Sequence, residues 1–151
     1  MLKVHMIERP DMAKQERCTL CGCALTNQTG TYAKPTAAGR SHRNEHHLVA
    51  ERFFGRSKNR RGTQRERTFA ECPWGMEGEA LVFCFECGEE LLHNPVFLPQ
   101  DIQQFAQLIR VRDLSEEEKP ATREKLAGRI RLLHDVIAAG LAALMKDVKQ
   151  M

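Results

Sequence analysis

Apolar positions fall into distinct patterns along this chain. Toward the C-terminus, Leu126, Ile130, Leu133, Ile137, Leu141, Leu144 and Val148 recur at steps of three and four. That is the period of one helix face, and a face so apolar must be buried. The start of this helix is open. Ser115 and Glu118 resemble a capping box, but Pro120 would break a helix begun there. Ahead of it, P-Q-D predicts a helix capped by Asp101, with Ile102, Phe105 and Ile109 on one side. In the middle of the chain, L-V-F-C-F (81–85) has the strongest strand character. H-H-L-V (46–49) suits a second strand that runs into the turn-like F-F-G-R-S, and L-K-V-H-M-I (2–7) suits a short third. E-C-G-E-E-L-L-H (86–93) opens a helix that Asn94 and Pro95 close. Residues 55–67 have no hydrophobic period and predict a solvated loop, while 18–40 hold a cysteine pair and a Thr/Gly/Pro-rich loop. Mixed elements of this kind predict an α+β fold.

Length and composition narrow the picture. The chain's 151 residues suit one domain with a helical appendage, and 42% hydrophobic content argues against wholesale disorder. We divide it into a polar lead-in at 1–17, a central domain at 18–97 and a helical extension at 98–151. Aromatics make up only 6%, so the core should be modest and helped by a covalent or metal staple. Net charge is +3, but unevenly spread: Arg52, Arg56, Lys58, Arg60, Arg61, Arg65 and Arg67 stand close together against Glu66. Such a block attracts phosphates and steers polyanions, nucleic acid above all. The longest apolar run, V-I-A-A-G-L-A-A-L-M, is far short of the roughly 18 residues of a membrane span. M-L-K-V-H-M-I-E-R-P-D lacks the apolar core of a secretion signal, so a cytoplasmic protein is expected.

Disulfides are rare in that compartment, so the six cysteines call for another explanation. Cys18 and Cys21 form one C-x-x-C pair, and Cys84 and Cys87 another, each followed by a glycine (Gly22, Gly88) that relieves the turn. Two such knuckles supply the four-thiolate tetrahedral shell that zinc prefers. Free buried thiols or a redox dithiol are the alternatives. Cys23 and Cys72 have no such pattern and suit small packing positions, with replacement of one of the four ligands as the alternative. The gap from Cys21 to Cys84 is longer than in a simple ribbon, so an insertion separates the halves of the site.

Inside that insertion lies R-S-H-R-N-E-H-H-L-V, residues 40–49. Paired imidazoles beside Glu45 can be a metal site, a general base with its orienting group, or plain polar surface. The flanking knuckles would bring them near the 84–93 helix. Taken together, C-T-L-C, E-H-H-L-V-A-E-R-F-F-G and C-F-E-C-G-E-E-L-L-H-N-P-V resemble the HNH endonucleases, in the subgroup stapled by two C-x-x-C knuckles. The resemblance covers residues 18–97, about half the chain. It implies a small zinc-stapled ββα-metal domain with helices appended at the C-terminus, and a DNA endonuclease dependent on Mg²⁺ or Mn²⁺. Carried over, His46 is a metal ligand, His47 the general base, and His93 a second ligand with Glu89 on its face. Arg52, Arg56, Lys58, Arg60, Arg61 and Arg65 contact DNA phosphates.

The chain departs from the family's pattern at two places: Glu79 stands where an asparagine is usual, and Gly88 where a histidine is usual. At about 100° per residue, His93 would point some 140° away from position 88 on an α-helix. His42 and Asn59 are possible substitutes. A second function class is a non-catalytic zinc-dependent nucleic-acid-binding module that keeps the fold, and a third is an assembly protein using the long helix. The 122–148 stripe would either pack on its own domain or join two chains as a homodimer.

Overall fold

The computed structural model describes residues 15–26, 41–56 and 58–151. The strand expected at 2–7 and most of the loop expected at 18–40 lie outside the described residues. The fold is small and mixes α and β elements: one two-stranded sheet, two α-helices and two short helical turns. It divides into two compact units, Met1–His47 with Ala80–Pro95, and Leu48–Glu79 with Val96–Met151.

In the first unit, β1 (Arg43–His47) pairs antiparallel with β2 (Ala80–Cys84), Asn44 opposite Phe83 and His46 opposite Leu81. β1 is shifted from the expected H-H-L-V. It ends at His47, because Val49 is drawn into the second unit's core beside Phe54. Beyond β2 the chain enters a π-helical turn, Glu86–Leu91, rather than the expected α-helix. Its wider bonding shows where the Leu92 N–H donates five residues back, to the Cys87 carbonyl at 3.0 Å. The Asn94 side chain closes the turn by donating to the carbonyls of Glu89 and Glu90, both at 3.0 Å. The unit's core is Cys18, Leu25, Phe83, Cys84 and Cys87, with Cys23 and Val82 packed against it.

Residues 48–79, expected within an 18–97 domain, share their core with the C-terminal helices instead. Val49, Phe54 and Phe69 form its centre, and Phe53, Cys72, Trp74, Ala127 and Ile130 pack around them. Phe69 meets Phe53 and Trp74 edge to face, with ring centroids 5.8 and 5.7 Å apart. The aromatic clusters in F-F-G and F-A-E-C-P-W thus build the layer on which the long helix lies.

Helix α1 spans Pro99–Val111. Its N-cap is Leu98, not Asp101. Proline at the first helical position needs no hydrogen-bond partner, and Asp101 instead accepts the Leu98 N–H at 2.8 Å from the first turn. Helix α2 spans Arg123–Gln150, beginning just past Pro120, and the Thr122 hydroxyl caps it by accepting the Lys125 N–H at 3.2 Å. The Leu114 side chain lies so close to Gly128 that a Cβ there would stand 2.6 Å from it. The apolar stripe of α2 is covered only at its start. Leu126, Ile130 and Leu133 are half-buried and Leu132 is buried, but every residue from His134 onward is exposed. Cover by the aromatic layer ends where Trp74 meets His134, 5.1 Å between centroids. Among the described residues, no helix is long and apolar enough to cross a membrane.

Candidate functional site

The cysteine cluster is built by two knuckles held against one strand. In the first, the Gly22 N–H donates to the Cys18 carbonyl (3.0 Å) and the Cys18 N–H to the Cys23 carbonyl (2.9 Å). Gly22 takes φ +77°, a left-handed conformation that suits glycine. Thr19 fastens this knuckle to β2: its N–H and its hydroxyl both donate to the Val82 carbonyl, at 3.0 and 2.8 Å. The second knuckle follows directly from β2, with the Cys87 N–H donating to Cys84 Sγ at 3.4 Å.

As a result the sulfurs of Cys18, Cys21, Cys84 and Cys87 all lie within 4.8 Å of one another, and Cys21 and Cys84 are 3.9 Å apart. A zinc–sulfur bond of about 2.3 Å gives tetrahedral sulfurs about 3.8 Å apart, so the cluster has the dimensions of a zinc site. Four cysteines so placed could hold a metal ion such as zinc. Burial pushes the Cys84 and Cys87 thiols up, and Cys23 up to about 12. Cys18 moves the other way, to about 6. Burial acts to raise it as well, but hydrogen bonds from the backbone of Cys21, Cys84 and Leu20 outweigh burial. Thiolates are the form in which cysteines bind a metal, so an ion at this cluster would draw protons off the crowded thiols. Cys23 and Cys72 lie instead among the packing residues of the two cores.

A second group of side chains gathers on one face of β1. Successive residues of a strand point to opposite faces, so Asn44 and His46 share a face while Glu45 and His47 share the other. Glu45 is drawn to Arg43 (3.6 Å), which also pairs with Glu16 (2.7 Å), and so does not join His46. The π turn brings His93 round to the Asn44–His46 face. Its bonding brings residues five apart into register, which removes most of the offset expected between positions 88 and 93. The His46 and His93 rings stand 4.7 Å apart, centroid to centroid. Glu89 lies between the two elements, accepting from Asn44 Nδ2 at 2.7 Å and facing His93 Nδ1 at 3.4 Å. Burial lowers the His46 pKa, aided by the neighbouring His93 and His47 and opposed by Glu89. The shift favours the neutral imidazole, the form that binds metals and accepts protons.

Gly88 has a defined place in this arrangement. A Cβ there would stand 2.9 Å from Asn44 Nδ2 and 3.5 Å from Phe83 Cβ. The space that a side chain would take at position 88 is filled by the Asn44 carboxamide. Asn44 was not among the residues singled out from sequence, although the strand period that places it beside His46 was available. His42 and Asn59 are occupied locally: His42 Nδ1 lies 3.0 Å from the Arg43 carbonyl, and Asn59 Oδ1 accepts the N–H groups of Arg61 and Thr63. Among the described residues, the four cysteines are the one set of three or more potential ligands close enough to share an ion. His46, Glu89 and His93 are adjacent without closing to that distance.

The basic segment belongs to the second unit, where Arg52, Arg56, Lys58, Arg60, Arg61 and Arg65 are all exposed. Arg56 pairs with Glu77. Arg67 serves the fold, donating to the carbonyls of Phe69 and Ala70. An open cleft of about 440 Å³ is lined by Arg52, Arg65 and Arg123, with Asn59, Gln64 and Thr68 as neutral polar groups. Glu66, also on its wall, pairs with Arg123 at 2.6 Å, which leaves the cleft net positive. Arg123 was missed because it is distant in sequence, brought here by the start of α2. No family model, curated protein or solved structure matches this chain.

Proposed function

We propose that this chain is a divalent-metal-dependent DNA endonuclease of the HNH type, stapled by a structural zinc on Cys18, Cys21, Cys84 and Cys87. The supporting observation is the meeting of His46, from β1, with His93, which follows the π turn, their ring centroids 4.7 Å apart and Glu89 facing His93 at 3.4 Å. His46 and His93, with Glu89, would hold Mg²⁺ or Mn²⁺. When bound there, the ion supplies charge stabilisation at the scissile phosphate and the departing 3′-oxygen. The resemblance gives the general base to His47, which strand alternation sets on the face of β1 opposite His46. As base it takes the proton from the attacking water at a ring nitrogen while the water oxygen bonds to phosphorus and the 3′-oxygen leaves. Arg52, Arg56, Lys58, Arg60, Arg61 and Arg65 hold the DNA backbone without reading bases.

One observation favours a second reading, a non-catalytic zinc-dependent nucleic-acid-binding module that keeps the fold. Glu89 is already engaged by Asn44, and the histidines with Glu89 do not close to ligand distance. A supercoiled-plasmid nicking assay with Mg²⁺ or Mn²⁺ separates the two. General-base catalysis typically contributes about 10²–10⁴-fold, so His47→Ala should lose roughly that much cleavage while keeping zinc and DNA affinity. His46→Ala and His93→Ala should recover partly at higher metal concentration. No metal-dependent nicking by wild type would leave the binding module as the function, whereas full activity in His47→Ala would remove His47 as the base.

A further inference from the structure

The exposed half of α2 is an unpartnered apolar face inside a unit that otherwise covers its stripe. Ile137, Leu141, Leu144 and Val148 are 50, 60, 64 and 58% exposed, and Met145 beside them is 54% exposed. These residues continue the row that Leu126, Ile130 and Leu133 begin on the aromatic layer. Chemistry limits what can cover them. No charged side chain occurs from Val136 to Met145, and the charges bordering the row, Asp135, Lys146, Asp147 and Lys149, are of both signs, so the face offers a polyanion no concentrated charge to pair with.

The spacing of the row narrows the choice further. Steps of four, three and four are the same read from either end. An antiparallel two-fold pair suits such a patch, because each copy meets the row read from its opposite end. With the dyad between Ala142 and Ala143 and the helices antiparallel, Leu141 meets Leu144 of the second copy, and Ile137 meets Val148 of the second copy. Small residues, Ala138 and Gly140, flank the row. Nothing lies within 4 Å of a Cβ built on Gly140, so a second helix has room to approach closely. We propose that α2 pairs with α2 of a second copy of this chain, antiparallel, through Ile137, Leu141, Leu144 and Val148. This pairing is independent of any nuclease activity.

Five large side chains, each half exposed or more, offer less than the roughly 800 Å² per partner of a standard interface. The dimer should therefore be weak, dissociating on dilution through roughly 1–100 µM. Dimerisation would set two basic segments on one assembly and strengthen binding to a polyanion through avidity.

The test is sedimentation equilibrium of the full chain across that range. Wild type should pass from 17.2 kDa to twice that mass. Leu141→Glu alone and Leu144→Lys alone should each remain monomeric, with helical circular dichroism unchanged because both positions are exposed. Mixing the two variants should restore dimers, since antiparallel pairing sets the new glutamate against the new lysine. A wild type that stays monomeric throughout, or variants that dimerise as wild type does, overturns the proposal. Failure of the mixture to dimerise overturns the antiparallel register.

Discussion

Gly88 and Asn44 offer a sharp perturbation, because one was fitted around the other. An alanine at position 88 would place its Cβ 2.9 Å from Asn44 Nδ2, closer than real side chains come, and 3.5 Å from Phe83 Cβ, an ordinary contact. The group that must yield is the far end of Asn44, which can rotate away. Rotation breaks its 2.7 Å hydrogen bond to the Glu89 carboxylate. Hydrogen bonds to charged groups contribute about 1.5–3 kcal/mol. Against that loss, replacing glycine within a helical turn returns up to about 1 kcal/mol. Gly88→Ala should therefore destabilise by roughly 0.5–2 kcal/mol.

The double-mutant cycle makes the reasoning falsifiable. In an Asn44→Ala background the obstacle is gone, and Gly88→Ala should become neutral or stabilising. The coupling between the two positions should be about 1.5–3 kcal/mol, since both single changes remove the same bond. The lone tryptophan, Trp74, reports on the other unit. Hydrogen exchange of the β1–β2 amides is therefore the proper assay, because it reads local opening free energy where the change is made. A coupling below about 0.5 kcal/mol would refute the account, showing that Asn44 and Gly88 do not share that space.

Further expectations concern the staple, the basic segment and pH. Cys84→Ser should reduce bound zinc and abolish cooperative unfolding of the first unit, checked by metal analysis and chelator titration; full zinc occupancy in the variant would contradict the four-cysteine site. Replacing Arg56, Lys58, Arg60 and Arg61 with alanine should weaken DNA binding for all sequences alike and flatten the slope of log affinity against log salt; an unchanged slope would make the segment mere surface. His46 has a folded-state pKa below its unfolded value, so its share of stability is present above about pH 6.5 and is lost as pH falls through the lower folded value. NMR titration should find its midpoint below 6.5, and His46→Gln should remove that part of the pH dependence; a midpoint above 6.5 would contradict the burial argument.

How much of this was legible in sequence depends on the range of the forces involved. The four-thiolate cluster could be read directly, because two short knuckles carry their own geometry and need only be brought together. What joins them, Thr19 bonded to the Val82 carbonyl, is a contact across 63 residues that no local pattern displays. The two helices were visible from their period, yet their first residues were not. Pro99 and Thr122 decide those through the chemistry of unsatisfied N–H groups, a competition between neighbouring candidates such as Leu98 and Asp101.

His93 shows why the site was harder to read than the staple. On a regular α-helix it faces away from position 88, and the histidine pair of β1 would have no partner on the helix. Periodicity arguments assume a fixed number of residues per turn, whereas this turn is bonded five residues back and so swings His93 round. The sequence carries hints of the cause: Gly88 lets the strand side chain press into the turn, and Asn94 satisfies the two carbonyls, Glu89 and Glu90, that the widened end exposes. Neither hint has meaning until Asn44 is known to lie opposite. The local conformation is thus chosen by a tertiary contact, and the same contact engages Glu89, the carboxylate nearest the histidines. Asn44 therefore bears on both readings proposed for this chain. In the proposed nuclease a freed Glu89 carboxylate would stand beside His93, whereas in the proposed binding module it stays hydrogen-bonded to Asn44.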